Sequence, residues 1–380
     1  MLKIFMTGDN HIGLKYARHE KASLLKEARI SAFEDMVKKA NEEDCGLFVI
    51  TGDLFENGYG VSKREVTALV DILSSFNGTV AVLPGNHDHF DKDIKVWQYF
   101  SDAALGKDNI MLLDSYKPYP ITVCGEELIL YPALCTSLHS APGENNLAWI
   151  KDESIVPDST FRIGIAHGAI EGETIDSEGQ YFLMKRSELE AIPVDAWLIG
   201  HTHVPFPKTL KEDGFVSGER IFNAGTHVQT DVSCNTEGLC FILEIEDGDG
   251  QKNVRAKKYR SGNIRFIRKS IAVSAGEAED ILTRELSAIP DNTVVDLILS
   301  GALTAEEYEN RASIIESALS RFIEGTYSDH GLSKLISEQL INAEFPETSF
   351  SSKLLRSLLH DPKKAQLTYE LLMSVKGDNK

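Results

Sequence analysis

Three observations predict an α/β protein with at least two sheets. Short apolar runs alternate with helical periodicities through roughly the first hundred residues, and each run ends in a polar turn containing glycine. After Asn109 the texture changes to short strands with few helical signals, and beyond Gly262 strand and helix alternate again.

Taken in order, Leu2 to Met6 reads as a first strand delivering Gly8-Asp9-Asn10-His11. Strand alternation is expected to point Asp9 and His11 the same way. Leu24, Leu25, Ala28, Phe33 and Val37 give a helix over about 20–41, and Gly46 to Ile50 is a buried strand ending in Thr51-Gly52-Asp53. A helix over about 62–76 leads to the strand Thr79 to Leu83, then Pro84 and the turn Gly85-Asn86-His87-Asp88. Strand, polar turn and helix thus recur, and functional residues gather at strand C-terminal ends.

The second sheet is expected from Ile110–Leu113, Ile121–Val123 and Glu127–Leu130, then Phe161–Ala166, which presents His167-Gly168. Asp195–Ile199 presents Gly200-His201-Thr202-His203, whose two histidines are expected to share a face; short strands at Arg220–Phe222 and Leu239–Ile245 follow. The alternation after Gly262 gives strand 264–273, helix 274–289, strand 293–299 and helix 304–322, both helices opening on a capping box, Ser274 with Glu277 and Thr304 with Glu307. Two short amphipathic helices close the chain: Leu354, Leu355, Leu358 and Leu359 on one, Leu367, Leu371, Leu372 and Val375 on the other, separated by Asp361-Pro362. Three units are expected: 1–255, 262–345 and a helix pair over 350–380.

A formal charge of −19 argues against a globally basic nucleic-acid binder, so a polyanion would have to meet a local basic patch or bound cations. Five widely spaced cysteines without a C-x-x-C pair indicate neither a disulfide framework nor a thiolate zinc site. With no signal peptide and no membrane span of ~18 apolar residues, the expectation is a cytoplasmic protein without membrane partners.

Asp9, His11, Asp53, Asn86, His87, His167, His201 and His203 all fall at predicted strand ends. Imidazole, carboxylate and amide donors without thiolate suit manganese, iron or zinc better than calcium or magnesium. Seven ligands exceed what one ion with an open position can use, whereas two ions sharing a carboxylate fit. A two-metal centre makes hydroxide available at neutral pH, polarises phosphoryl oxygens and neutralises developing charge. A proton for the leaving oxygen suits a non-ligating histidine, for which His87 is the candidate. Gly-Asp after a strand is often only a turn, and a lone histidine such as His167 is more often satisfied structure than ligand. The specificity lies in all five fragments occurring together in this order. His89, His139 and His227 are expected to be structural or solvent-exposed. The run from Lys252 to Lys269 has eight cations and no acidic residue; along the entrance to such a site, Lys257, Lys258 and Arg260 would contact phosphates without reading sequence.

Gly8-Asp9-x-His11, Gly52-Asp53, Gly85-Asn86-His87-Asp88, Ala166-His167-Gly168 and Gly200-His201-Thr202-His203 together resemble the signature of the calcineurin-like metallophosphoesterases. Gly52-Asp53-Leu54-Phe55, the β-α-β-α unit and the terminal helices resemble the SbcD-type DNA repair exonucleases, relatives of the Mre-eleven nuclease. The resemblance implies a four-layer αββα sandwich with a small C-terminal capping domain that shapes DNA access, and a dinuclear site, most simply two Mn2+, with Fe2+ or Zn2+ as alternatives. Asp9, His11 and His203 would hold one ion, Asn86, His167 and His201 the other, with Asp53 bridging; His87 would protonate the leaving group. The terminal helices would dock on an SbcC-like coiled-coil ATPase, and family analogy suggests a homodimer. One residue departs from the pattern: the Gly-Asp-Leu-Phe motif usually continues with a histidine near the scissile phosphate, and here Glu56 stands there. A carboxylate facing the site would repel a phosphodiester, so Glu56 is expected to turn to solvent. The acidic charge and Glu56 keep a phosphatase or cyclic-nucleotide phosphodiesterase open as an alternative, and a non-catalytic scaffold for an ATPase is a third reading.

Overall fold

The computed structural model describes residues 1–151, 160–173, 176, 179–234, 236–248 and 251–377. The chain divides into two compact units, Met1–Arg265 and Phe266–Lys380.

In the first unit the elements run β1 (Leu2–Thr7), α1 (Ala22–Glu42), β2 (Leu47–Ile50), α2 (Lys63–Ser74), β3 (Thr79–Val82), α3 (Lys95–Ala104) and β4 (Ile110–Leu112). They continue as β5 (Tyr119–Val123), β6 (Glu126–Ala133), α4 (Ala148–Lys151), β7 (Phe161–His167), α5 (Arg186–Ala191), β8 (Ala196–Gly200), β9 (Val216–Ser217), β10 (Ile221–Phe222), β11 (Leu239–Gly248) and β12 (Gln251–Arg260). One sheet has the order β4-β3-β2-β1-β11-β12-β9, the other β10-β8-β7-β6-β5.

Strand alternation builds the layers. Ile4 and Met6 of β1, Leu47 and Val49 of β2, Ile163 and Ile165 of β7 and Leu198 of β8 meet in the core between the sheets. Their neighbours Phe5, Phe48 and Ile50 face outward onto Phe33, Met36, Val37 and Ala40 of α1, Leu69 and Leu73 of α2, and Trp97 and Phe100 of α3. On the far side Trp197 and Ile199 pack with Ile150 of α4 and Leu189 of α5. The result is the expected αββα sandwich, with each fully buried large side chain worth roughly 1.5–3 kcal/mol.

Register positions the turns. β1, β2 and β3 run parallel, with Thr7 beside Ile50 and Ile50 beside Val82, so the turns after them leave one edge of the sheet together. In the second sheet His167 lies beside Gly200 on parallel strands. Five main-chain hydrogen bonds then join the first two turns: Asp9 N to Gly52 O, Asn10 N and His11 N to Asp53 O, Ile12 N to Leu54 O, and Glu56 N to Ile12 O.

Three local expectations need correction. Helix α1 buries Leu25, Arg29, Ala32, Phe33, Met36, Val37 and Ala40, so the apolar stripe passes through Arg29 and leaves Leu24 exposed. The basic stretch from Lys252 forms β12, a strand paired along its length with β11. Asp9, His11, His201 and His203 lie past the strand ends with positive φ, so alternation does not govern their directions.

The second unit has a sheet of order β13 (Arg265–Val273), β14 (Thr293–Leu303) and β15 (Glu324–Lys334). Helices α6 (Ala278–Leu286), α7 (Ala305–Glu309) and α8 (Arg311–Leu319) connect the strands; Ile281, Leu282 and Leu286 of α6 and Ile315 and Leu319 of α8 pack with Val295, Leu297 and Leu299 of β14. The Thr304–Glu307 capping box is present, whereas helix α6 begins after Glu277 with no side-chain cap. Instead Glu307 reaches across, its carboxylate accepting from Gly276 N and Ala278 N at 2.8 and 3.1 Å. The chain ends in three helices, α9 (Glu338–Glu344), α10 (Phe350–Leu358) and α11 (Pro362–Gly377), around Leu340, Ile341, Phe345, Leu355, Ala365 and Tyr369.

Candidate metal centre

Five strand ends deliver the predicted residues to one place. The ligand atoms of Asp9, His11 and His203 lie within 4.8 Å of one another, as do those of Asp53, His167 and His201. His201 and His203 therefore part company, one to each group. In the first group His11 Nε2 and His203 Nε2 face each other at 3.0 Å. In the second, the Asn86 side-chain oxygen sits 3.0 Å from His167 Nε2 and 3.1 Å from His201 Nδ1. Asp53 lies between them, its Oδ2 3.3 Å from His167 Nε2 and 3.9 Å from His11 Nε2.

The surroundings fix these groups. His201 N donates to both oxygens of Asp9, at 2.8 and 3.0 Å, and His87 N donates to Asp53 Oδ1 at 2.8 Å. The other ring nitrogen of His167, Nδ1, lies 2.9 Å from the Thr51 carbonyl, the pattern by which an outer partner sets a ligand's tautomer. A Cβ on Gly85 would come within 2.2 Å of Asp53 Oδ1, and one on Gly52 within 2.2 Å of His167 Nδ1. Asp88 closes the turn from behind, its carboxylate accepting from Gly85 N at 2.7 Å and Phe55 N at 2.9 Å.

Burial lifts the Asp9 carboxyl to about 6 despite the pull of His167. Burial, then neighbouring His167, pushes His201 down to about 4; burial, then neighbouring His11, pushes His203 down to about 3. Both are left as neutral rings whose lone pairs can bind a cation at pH 7. Burial opposes a charge on His167, yet adjacent Asp53 holds it up at about 9. Burial also opposes a charge on Asp53, but His167 and His11 keep that carboxyl well below its usual range. The proton on His167 offsets a buried carboxylate, which is the place a metal cation would take. Four inward-facing imidazoles, two carboxylates and an amide oxygen, nearly all buried, therefore fit a pair of divalent ions.

His87 is exposed at the mouth of the site, with Nδ1 3.1 Å from the Glu56 carbonyl. Glu56 does not turn to solvent: its Oε2 lies 2.9 Å from His11 Nδ1, with the side chain 27% exposed. The His11 ring draws it inward, an interaction between turns that sequence spacing does not reveal. Of the basic run, Lys257 pairs with Glu43 at 3.0 Å and Arg260 with Glu212 at 3.1 Å and with Glu237, so the two cations are matched inside the chain. The main-chain nitrogen of Lys258 donates to the Lys211 carbonyl.

Two contributors escape the sequence reading. Arg29, 1% exposed, donates to the Asn10 carbonyl through Nε and Nη2 at 3.1 and 2.6 Å and to the Val228 and Gln229 carbonyls at 3.0 and 3.1 Å, bracing the Asp9–His11 turn from beneath. Its signal was a cation inside an apolar helical stripe. The Tyr181 ring lies tilted against His201, ring centroids 5.0 Å apart, and in turn meets His139 at 5.2 Å.

A double-sheet sandwich that gathers such donors at parallel strand ends defines a metal-dependent phosphoesterase. The chain belongs to the calcineurin-like phosphoesterase family, whose profile matches residues 2–205, more than half of its 380 residues. It is similar to the Thermus thermophilus protein TT1561, at 13% identity over 59% of this chain and 89% of that one, with a TM-score of 0.37. It is also similar to a dimetal phosphatase from Danio rerio, at 11% identity over 68% of this chain and 98% of that one, with a TM-score of 0.37. Among the described residues no helix is long and apolar enough to cross a membrane.

Proposed function

We propose that this chain is a two-metal phosphodiesterase acting as the DNA nuclease subunit of an SbcCD-like repair complex. The observation that carries the two-metal reading is the convergence of Asp9, His11 and His203 beside Asp53, His167 and His201. When bound there, two ions, Mn2+ in our reading, would activate water and offset charge on the phosphoryl oxygens. The chain's own residues do the rest. Asp53 and Asn86 orient the two groups, and the hydrogen bond from the His87 main-chain nitrogen to the Asp53 carboxylate fixes His87 beside the centre. His87 Nδ1 lies against the Glu56 carbonyl and keeps its proton there, so Nε2 is the nitrogen from which the doubly protonated ring gives a proton to the leaving oxygen, returning to the neutral Nδ1–H form.

Two features support DNA and an ATPase as partners. The second unit is a three-stranded sheet with helices between its strands, of a size suited to a capping domain, and α11 leaves Leu367, Leu371 and Val375 59–60% exposed at a spacing of one helical face, suited to a coiled coil. A scaffold without activity is disfavoured because every expected donor is present and inward. A second reading, hydrolysis of small phosphodiesters or monoesters, is favoured by one observation: the pairing of Lys257 and Arg260 with carboxylates.

The test is cleavage of single- and double-stranded DNA by purified protein with Mn2+, alone and with an SbcC-like ATPase, beside bis-p-nitrophenyl phosphate and the monoester. His87→Ala should lower turnover about 10²–10⁴-fold with metal content unchanged. Absence of any DNA cleavage by the wild type, with diester or monoester turnover retained, would replace the nuclease reading with the second one.

A further inference from the structure

The geometry points to Glu56 as a positioning residue that sets the affinity of one half of the metal centre, an inference that rests on the two-metal reading above. His11 is 4% exposed and its two ring nitrogens have different neighbours. Nε2 faces His203 Nε2 at 3.0 Å; Nδ1 makes no aligned hydrogen bond but has the Glu56 carboxylate oxygen beside it at ion-pair distance, 2.9 Å. A neutral imidazole carries one proton. The negative charge of a carboxylate this close favours the proton on Nδ1, so the Nε2 lone pair is the one directed into the group with Asp9 and His203, and a charged outer partner raises the basicity of that lone pair.

The backbone makes this contact a fixed one. Ile12 and Phe55 form a bridge between the two turns, and Glu56 N donates to the Ile12 carbonyl at 3.0 Å, so Glu56 is carried on the strand-like rung next to the residue it orients. The main-chain carbonyl of Glu56 meets His87 Nδ1 at 3.1 Å, and the His11 and His87 rings lie edge to face with centroids 4.9 Å apart. One residue thereby sets a ligand with its side chain and the candidate proton donor with its backbone. His167 is held differently, by the neutral Thr51 carbonyl, and no contact of Glu56 reaches His167 or His201 among the described residues. Loss of the Glu56 carboxylate should therefore act on one ion and spare the other.

The experiment is calorimetric titration of the full chain with MnCl2, followed by electron paramagnetic resonance, for wild type, Glu56→Ala and Glu56→Gln, with thermal unfolding in chelator as the folding control. Glutamine keeps an oxygen that can accept the Nδ1 proton; alanine keeps none. The expected result is two bound ions in the wild type, one of them weakened about 10–100-fold in Glu56→Ala with the other held within about threefold, and partial rescue in Glu56→Gln, which keeps the acceptor oxygen without the charge. At one equivalent of manganese, Glu56→Ala should then show an isolated-ion spectrum without exchange coupling. Unchanged affinity for both ions in Glu56→Ala, an equal loss at both, or a Glu56→Gln variant as impaired as alanine would each overturn the assignment. A wild type that binds fewer than two ions would overturn the two-metal reading itself, a separate outcome.

Discussion

Arg29→Met is the sharpest test of how the first unit holds its site. Arg29 lies on the buried face of α1, 1% exposed, and among the described residues no carboxylate pairs with it. Its donors serve the main-chain carbonyls of Asn10, Val228 and Gln229 and the hydroxyls of Tyr16 and Thr226. The Asn10 carbonyl would lose two donors and the Gln229 carbonyl one, while the Val228 carbonyl would keep the Thr226 hydroxyl at 2.9 Å. Two buried carbonyls stripped of these bonds cost roughly 1–3 kcal/mol each. Removing an unpaired buried charge offsets part of that, and methionine fills much of the volume. The net loss should be about 3 kcal/mol, a drop in Tm of roughly 6–12 °C for a unit of this size, measured by thermal and urea unfolding. Because Asn10 stands between Asp9 and His11, manganese affinity should fall in the same variant. A variant within about 1 kcal/mol of wild type and with unaltered metal binding would refute the bracing role.

Two further predictions concern the second unit. Glu307→Ala removes acceptors from Gly276 N, Ala278 N and Thr304 N and should cost about 1–2 kcal/mol at neutral pH. Burial is the largest single effect on the Glu307 carboxyl and raises it, yet the backbone donors of Gly276, Thr304 and Ala278 together hold it below its ordinary value. Its contribution is therefore present above about pH 4.5 and lost as pH falls through the lowered folded-state value; wild-type and variant unfolding curves should converge in acid, and a gap independent of pH would exclude a charged cap. On α11, replacing Leu367, Leu371 and Val375 together by serine should leave stability within about 0.5 kcal/mol, because all three are exposed, while weakening capture of an SbcC-like coiled coil at least tenfold in a pull-down titration. Undiminished capture would remove this face from the partner proposal.

The parts legible in the sequence were those written locally. Apolar strands ending in Gly-Asp, Gly-Asn-His-Asp and Gly-His-x-His announce an α/β layer and its donors, because a buried strand and a polar turn need only adjacent residues. What depends on distant pairing was hidden. Strand β15 reads Glu-Gly-Thr-Tyr-Ser-Asp-His-Gly-Leu-Ser-Lys, with Leu332 its one buried residue, so it has no alternation to find; pairing with β14 makes it a strand. The basic stretch of β12 looked like a phosphate strip, yet register sets Arg255 against Glu244 and Lys252 against Asp247 on β11. Charge that seems unmatched along the chain is matched across the sheet. Glu56 and Arg29 belong to the same category: each acts on a turn that its own sequence neighbours do not form.

The backbone of the centre suggests why these outer residues matter. Asp9, His11, Asp53, His201 and His203 all have positive φ, between 46° and 110°, where a side chain other than glycine costs roughly 1–3 kcal/mol. Glycine at those positions would be easier for the chain and useless to a cation. Reversing direction at once after a strand has a chemical benefit, since it separates donors two residues apart: His201 turns to Asp53 and His167, while His203 turns to Asp9 and His11. An extended strand would have sent both to one side. Such turns persist only if their surroundings over-determine them, and here the surroundings are specific: the main-chain rungs between residues 9–12 and 52–56, the Arg29 fork under Asn10 and the Asp9 carboxylate on His201 N. The centre is thus assembled against local backbone preference by contacts from other strands. Weakening any of these braces should loosen the donors before it unfolds the sandwich.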